Sequence, residues 1–536
     1  NASINLDNKS LNLEGVKKIP ISIANSTLFF PDSQKITIEK NRNMLFNGLF
    51  FSGRIDFFGT DNYFNYEEFS MDLPQIDTLI INIPDGDKLD QYGQAILRPI
   101  NSTLSQLSGS LQINLPINKS GNSALAQFPI FESKSYSKVF YEDIKIGGGA
   151  YKKEDFYYEI SPFIIDSLMH INQQTLKFNG QLYSGGIFPN IDQPLRLQDD
   201  LSLGFQVSTP LEGLPVYGGK GISAGELSLD NKGLTGSGLV EFQTTKFESG
   251  HIIYYPDSLL AATDRFTIEE SEGLYEAPEL NNTFSSVEWF PYLDSMIAYS
   301  GPTSPFNMFN NKTQLNGQIE ITNKAIHGAG LIDWDDGQLT SNRFRFKSTE
   351  LLADSAALKI KTIDGDKVTF NTPNVNAYVD FTENTGYFKS NTNENRTEFN
   401  YNQYVTTIDE FFWDIDNKKL EFSVPEGSTG APFTSLKSSQ DSLSFIATNA
   451  DYSLEESIIE ASGVTEIFIA DSRVIPHDGK VSIYPEARME TLTQATIEAS
   501  AGSKRHIMKD VTITISGKND FTGTGQYKYE TKNIPT

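Results

Sequence analysis

One stretch of this chain is written twice. Residues 225–268 return without a gap as residues 317–360, at a constant interval of 92. Gly225, Asn231, Lys232, Gly236, Gly238, Leu239, Ser249, Leu259, Leu260 and Ala261 reappear as Gly317, Asn323, Lys324, Gly328, Gly330, Leu331, Ser341, Leu351, Leu352 and Ala353. Where identity lapses, type persists: Phe242 matches Trp334, Glu241 matches Asp333, Tyr254 matches Phe346, and Phe266-Thr267-Ile268 matches Leu358-Lys359-Ile360. Glycines, an Asn-Lys turn and an alternation of polar with apolar residues are what survive. A strand-and-turn scaffold that has been copied keeps those features, because they carry backbone shape and one buried face.

The rest of the composition narrows the class. A length of 536 residues calls for several domains or one extended array, and the duplication favours the array. With 43 Lys+Arg against 69 Asp+Glu, the formal charge is -26, which argues against nucleic acid as a partner because phosphate binding needs clustered cations. There is no cysteine, so disulfides, thiolate nucleophiles and Cys-based metal sites are excluded; this suits a bacterial extracytoplasmic protein. The longest apolar runs, such as 78–83, are strand-sized and far short of the roughly 20 residues of a membrane helix. Asn1-Ala2-Ser3-Ile4-Asn5 has neither the basic nor the apolar region of a signal peptide, consistent with a mature, excerpted or cytoplasmic chain.

Taken in order, the chain reads as strands of three to six residues broken by Gly, Asn and Asp turns. Residues 1–83 form a first module whose wording returns near the other end: Lys35-Ile36-Thr37-Ile38 matches Lys480-Val481-Ser482-Ile483, and Met44 matches Met489. Residues 84–135 hold Pro84-Asp85-Gly86-Asp87 and Lys119-Ser120-Gly121-Asn122 and read as a loose spacer. A module over 136–220 follows, then copy A (221–312), copy B (313–404) and a C-terminal module (405–536) resembling the first. Asp77-Thr78, Asp166-Ser167, Asp257-Ser258 and Asp354-Ser355 end successive strand phrases and read as turns. Only 168–175 and 431–445 suit a turn or two of helix. The predicted fold class is all-β: an elongated repeat array of short strands, β-solenoid or β-taco-like, with tandem β-sandwiches as the alternative.

The series Gly463-Val464, 467–472, 479–483 and Met489, together with the duplicated unit, resembles segments of very large, little-characterised cell-envelope proteins of Bacteroidota. Their short-strand repeats are similar in style to the β-repeats of OstA/LptA-type and AsmA/TamB-type periplasmic proteins. The resemblance implies a periplasmic or outer-membrane-associated β-repeat protein, with guidance of lipid along an apolar trough as one role.

Candidate chemistry is sparse. Gly221-Ile222-Ser223-Ala224-Gly225 satisfies the G-x-S-x-G nucleophile elbow, but a strand pattern follows it where the elbow needs a helix, and copy B has Leu315 in place of Ser223. His170, His251, His327, His477 and His506 show no zinc-binding spacing. Asp85-Gly86-Asp87, Asp333-Trp334-Asp335-Asp336, Asp364-Gly365-Asp366 and Asp414-Ile415-Asp416-Asn417 offer oxygen ligands for Ca²⁺, though each reads first as a tight turn. Gly147-Gly148-Gly149 and Gly218-Gly219-Lys220-Gly221 lack P-loop spacing. Phe411-Phe412-Trp413 and Trp289-Phe290-Pro291-Tyr292 suit stacking on sugars or, more simply, packing within a sheet. Catalytic, cofactor-binding and metal-binding residues are therefore assigned to none of these positions.

The sequence thus points to a non-enzymatic extracytoplasmic scaffold protein of a bacterial envelope or cell surface. Its expected partners are other envelope or surface proteins, with self-association. One alternative is a lipid- or glycan-binding protein using a trough or groove along the stacked sheets. Another is a carbohydrate-active enzyme, whose carboxylate pair is a matter of three-dimensional separation that 69 acidic residues leave open.

Overall fold

A computed structural model describes residues 1–142, 148–362, 367–392, 396–500, 502 and 506–528. The chain is all-β. Among the described residues, helical structure is confined to three-residue 3-10 turns, including Leu168–His170 and Ser438–Gln440 in the two stretches expected to hold a turn of helix. The described ladders are antiparallel, whereas the stacked rungs of a parallel solenoid would give parallel ones. The chain divides into two compact units: residues 1–242, 248–261 and 290–292 make the first, and 243–247, 262–289 and 293 onward the second. The division falls within 221–312, the segment expected as one module.

In the first unit a long antiparallel sheet runs through Met44–Ser52, Ile55–Asn65, Ser70–Leu89 and Leu104–Gln112 to Ser137–Phe140, Phe156–Ile160 and Gly180–Ser184. Alternation decides which face is inside. Phe46, Phe50, Phe57 and Phe64 are buried, and Phe50 lies against Phe57 with ring centroids 4.5 Å apart and an interplanar angle of 4°. Each such side chain contributes about 1.5–3 kcal/mol through removal from water.

Several strands exceed the predicted length. Ser70–Leu89 has 20 residues and takes in Asp77-Thr78, which the sequence marks as a turn. Short polar pairs do not always end a strand, because an irregularity can absorb them. Asp354-Ser355 lies inside Glu350–Lys361, where the ladder shifts between Ala353 and Ala356, while Asp257-Ser258 occupies a bend between Thr245–Tyr254 and Leu259–Thr263. Residues 84–135, read as a spacer, hold Ala95–Pro99, Leu104–Gln112 and Ile130–Ser133, and Leu104, Leu107, Leu111 and Phe131 are buried. The phrases matched between the two ends are not equivalent in structure: a 3-10 turn precedes Lys35–Ile38 at Asp32–Gln34, but follows Val481–Tyr484 at Pro485–Ala487.

In the second unit the chain alternates hairpins between two rows of strands. One row runs through Thr385–Ser390, Glu410–Asp414, Lys419–Ser423, Asn449–Ser453, Ile458–Ser462 and Val481–Tyr484. The other runs through Thr397–Phe399, Tyr404–Thr406, Ala431–Ser435, Ser444–Ala447, Ile467–Ile469 and Ser472–Ile475. Val368–Asp380 belongs to both, its first half pairing with Thr397–Phe399 and its second with Thr385–Ser390. Aromatic side chains fill the space between the rows: Phe399 of one lies 5.4 Å from Phe422 and 5.0 Å from Tyr452 of the other, ring centre to ring centre. The Tyr452 hydroxyl is satisfied inside by Thr369 Oγ1 at 2.6 Å.

The duplication is real in three dimensions, and it is longer than identity shows. Gly225 faces Gly238 across Gly221–Asp230 and Gly233–Phe242, as Gly317 faces Gly330 across Thr313–Thr322 and Ile326–Trp334. All four glycines have positive φ, at +145°, +122°, +156° and +132°. A Cβ on Gly238 would stand 2.2 Å from the Ala224 carbonyl oxygen, and one on Gly330 2.2 Å from that of Asn316. Ser249 Oγ accepts from His251 N–H and donates to its carbonyl, as Ser341 does with Arg343. Upstream, Leu214–Val216 pairs with the start of its strand in the register that Phe306–Met308 repeats 92 residues later. The turns that follow, Tyr217-Gly218-Gly219 and Phe309-Asn310-Asn311, each hold three consecutive residues at positive φ. Gly and Asn both tolerate that region, so the turn survives while its letters change.

Candidate functional site

Ser223 of the apparent nucleophile elbow lies within Gly221–Asp230, opposite Val240 on one side and Leu214 on the other. It is 3% exposed, and its Oγ sits 2.6 Å from the hydroxyl of Tyr254, whose pKa burial pushes up to about 12. A nucleophile elbow presents its serine on an open strand-to-helix turn; here a buried hydroxyl pair closes a strand face.

The other sequence candidates are also drawn into structure. His327 Nε2 lies 3.5 Å from an Arg343 guanidinium nitrogen, and burial with that neighbouring charge lowers its pKa. His506 Nδ1 lies 2.8 Å from the Tyr527 hydroxyl, His170 is in a 3-10 turn, and His251 and His477 are exposed. Asp85 bridges Lys88 and Arg98, Asp333 pairs with Lys361, and Asp336 pairs with Lys418. Asp414 accepts from both the backbone and the side-chain amide of Asn417, the hydrogen bonding of a turn. Asp364-Gly365-Asp366 and Gly147 lie outside the described residues, while Gly148 and Gly149 have positive φ in a turn. Among the described residues, no three His, Asp or Glu side chains converge as a metal-holding group. Phe411, Trp413 and Trp289 are buried; Phe412 and Tyr292, at 38% and 56% exposure, face outward.

A concave site lies elsewhere, on the outer face of the first unit's sheet. Phe156–Ile160 and Gly180–Ser184 run antiparallel with Tyr157 opposite Tyr183 and Glu159 opposite Gln181, and Ser161 N–H donates to the Asn179 carbonyl just beyond. Because side chains alternate, Phe156, Tyr158, Ile160 and Leu182 go to the core, and the outward residues form two short facing columns, Tyr-x-Glu-x-Ser and Asn-x-Gln-x-Tyr. Ser137–Phe140 adds Lys138, whose ammonium stands 3.8 Å above the Tyr157 ring. Tyr183 stacks on Tyr157 at 5.0 Å and 23°.

The chain then folds back to make a wall. Leu182 and Ile191 exchange both backbone hydrogen bonds, and the buried Tyr158 hydroxyl donates to the Gln193 carbonyl at 2.6 Å. Between floor and wall is an open groove of about 440 Å³, lined by Tyr136, Glu159, Gln181, Tyr183 and Asp192 among others. Glu159, with burial and the further charges of Tyr157, Asp192 and Tyr136, raises the pKa of Tyr183, so its phenol stays protonated and can donate. Pro194 lines this groove and also a second one of about 740 Å³, whose lining includes Arg196, Gln206, Ser228 and Lys232. Sequence reading missed the site, although the two mirrored columns were present as a signal.

No protein-family model, characterised protein or solved structure matches this chain.

Proposed function

We propose that this chain is a non-enzymatic β-repeat scaffold of a bacterial envelope or cell surface, as its resemblance to envelope proteins of Bacteroidota implies. The observation that carries this reading is what the duplication kept. Paired glycines, a left-handed turn and a serine clasp recur in both copies, whereas the one apparent nucleophile, Ser223, becomes Leu315. A unit copied for chemistry keeps its reacting side chain; a unit copied for shape keeps its backbone. The acidic and thiol-free composition fits an extracytoplasmic setting. Against lipid carriage stands the aromatic filling between the rows of the second unit, with Phe399, Phe422 and Tyr452 at most 2% exposed. The glycan alternative rests on the outward groove of the first unit.

Two measurements test the proposal. Protease treatment of intact and of permeabilised source cells should degrade the protein without entry into the cytoplasm, and a purely cytoplasmic pool refutes the location. Purified chain incubated with polysaccharide, ester and phosphoester panels should release no product, and steady turnover refutes the non-enzymatic assignment.

A further inference from the structure

We propose that the groove lined by Tyr136, Glu159, Gln181, Tyr183 and Asp192 is a binding site for a neutral oligosaccharide chain. It is independent of the scaffold reading, which concerns the copied strands.

Four features select the ligand class. First, the floor carries an aromatic surface already held in place. Tyr157 is fixed between the Lys138 ammonium and the Tyr183 ring, so Tyr183 presents itself to the groove without further ordering. Rigid aromatic rings bind the axial C–H face of a pyranose at little entropic cost and leave a hydroxyl at the rim for hydrogen bonding. Second, the remaining lining is of carboxylate, amide and hydroxyl groups: Glu159 and Asp192, Asn179 and Gln181, and Ser161. These pair with the vicinal hydroxyls of a sugar, which both donate and accept. Third, charge excludes the obvious competitors. Two carboxylates line the groove itself and, among the described residues, no cation does, which disfavours phosphates, sulfates and uronates there by like-charge repulsion. The nearby Lys138 ammonium is engaged over the Tyr157 ring, and the cations Arg196 and Lys232 of the second groove stand among Asp199, Asp200 and Asp230. Fourth, the dimensions suit a chain. The groove is open, about 440 Å³, within the range of small-ligand sites, and Pro194 also lines a second polar groove of about 740 Å³. A lipid tail would find too few apolar groups here, and a peptide would find only the short edge of Gly180–Ser184, where Leu182 is already bonded to Ile191.

Affinity electrophoresis in native gels offers a direct test, because neutral polysaccharide leaves migration of so acidic a protein otherwise unchanged. Gels cast with a β-glucan, an α-mannan, a galactan or alginate would be compared, and binding to the retarding polymer would be quantified by calorimetry with its hexasaccharide. At least one neutral polymer should retard the chain and alginate should not. Tyr183→Ala should weaken hexasaccharide binding at least tenfold and Gln181→Ala severalfold, with unchanged melting. Phe412→Ala, which removes an outward aromatic of the second unit, should bind as wild type. The proposal is overturned by retardation in alginate alone, by no retardation in any neutral polymer, or by binding that Phe412→Ala removes and Tyr183→Ala does not.

Discussion

Gly238→Ala and Gly330→Ala should be damaging to a similar degree, for one shared reason. Each residue sits at a φ above +120°, a region that costs a side-chain-bearing residue about 1–3 kcal/mol. Each new methyl would also stand 2.2 Å from a carbonyl oxygen of the facing strand, so the strands must part by about 1 Å and strain their ladder, at roughly 1–3 kcal/mol more. The sum, about 2–6 kcal/mol, is a large share of the 5–15 kcal/mol that holds an ordinary domain together. Gly273→Ala separates the two contributions: its φ is +102°, but an added Cβ meets nothing within 4 Å, so only the backbone cost of about 1–3 kcal/mol remains. The readout divides conveniently. The three tryptophans, Trp289, Trp334 and Trp413, belong to the second unit with Gly330, while Gly238 belongs to the first. Urea unfolding followed by tryptophan fluorescence should therefore report Gly330→Ala, and far-UV circular dichroism should report Gly238→Ala. Adding Gly317→Ala to Gly330→Ala should cost less than the two singles combined, because strands already parted accept the second methyl more cheaply. If one of the two glycine variants is harmless and the other severe, the equivalence of the copies is refuted; if neither exceeds Gly273→Ala, the clash with the facing carbonyl is refuted as a cause.

Thr209 Oγ1 accepts from Gly225 N–H at 2.9 Å and Ser300 Oγ from Gly317 N–H at 3.0 Å, an analogous contact made from positions one residue out of the 92-residue register; Thr209→Val and Ser300→Ala should each lower stability by about 1 kcal/mol, and a null result at either in chemical denaturation counts against that contact as a support of its glycine. Ser223→Ala strands the buried Tyr254 hydroxyl and should cost about 1–3 kcal/mol; labelling of the wild type by a fluorophosphonate that this variant abolishes would contradict a structural serine. His327 has its pKa lowered by burial, then by Arg343 and Arg345 against the opposing Glu320, so the unfolded chain binds its proton more readily. Stability should therefore fall as pH drops through the ordinary imidazole value near 6.5, and His327→Asn should flatten that slope in paired melts at pH 7.5 and 5.5; an unaltered slope counts against it. Phe57→Ala should cost about 3–5 kcal/mol by calorimetry, since its ring is fully buried against Phe50 and Phe131; a loss below 1 kcal/mol would mean the core collapses around it.

Strand content, the duplicated rung and the absence of long helices were legible in the sequence because they rest on local signals: period-two alternation, glycine spacing and turn residues. What escaped was whatever depends on backbone conformation that several residue types satisfy. Tyr217-Gly218-Gly219 and Phe309-Asn310-Asn311 make the same left-handed turn with no letter in common, so identity stopped about ten residues short of the structural repeat. Strand lengths escaped for a related reason, since the bulge at Asp354-Ser355 and the bend at Asp257-Ser258 share one sequence signal. The groove escaped because it is assembled by register. Tyr157, Glu159, Gln181 and Tyr183 are unremarkable apart; only the pairing of Phe156–Ile160 with Gly180–Ser184 sets them side by side.

The placement of the groove separates two roles within one chain. The strands that build it, Ser137–Phe140, Phe156–Ile160 and Gly180–Ser184, precede the copied region and lie outside residues 225–268 and 317–360. Three serines of the copied strands are held in internal bonds: Ser223 to Tyr254, Ser249 to its own turn, Ser341 to its own turn and to the Ser355 carbonyl. Polar groups spent on the backbone are not offered to a ligand, whereas the outward columns of the groove strands have their backbone needs met by the ladder and leave side chains toward solvent. Repetition therefore multiplies backbone geometry, and recognition, where it exists, belongs to a face that occurs once. A ligand that bound the duplicated hairpins instead would engage both copies alike, so a binding stoichiometry of two per chain, lost stepwise through substitutions in each copy, would reverse this assignment.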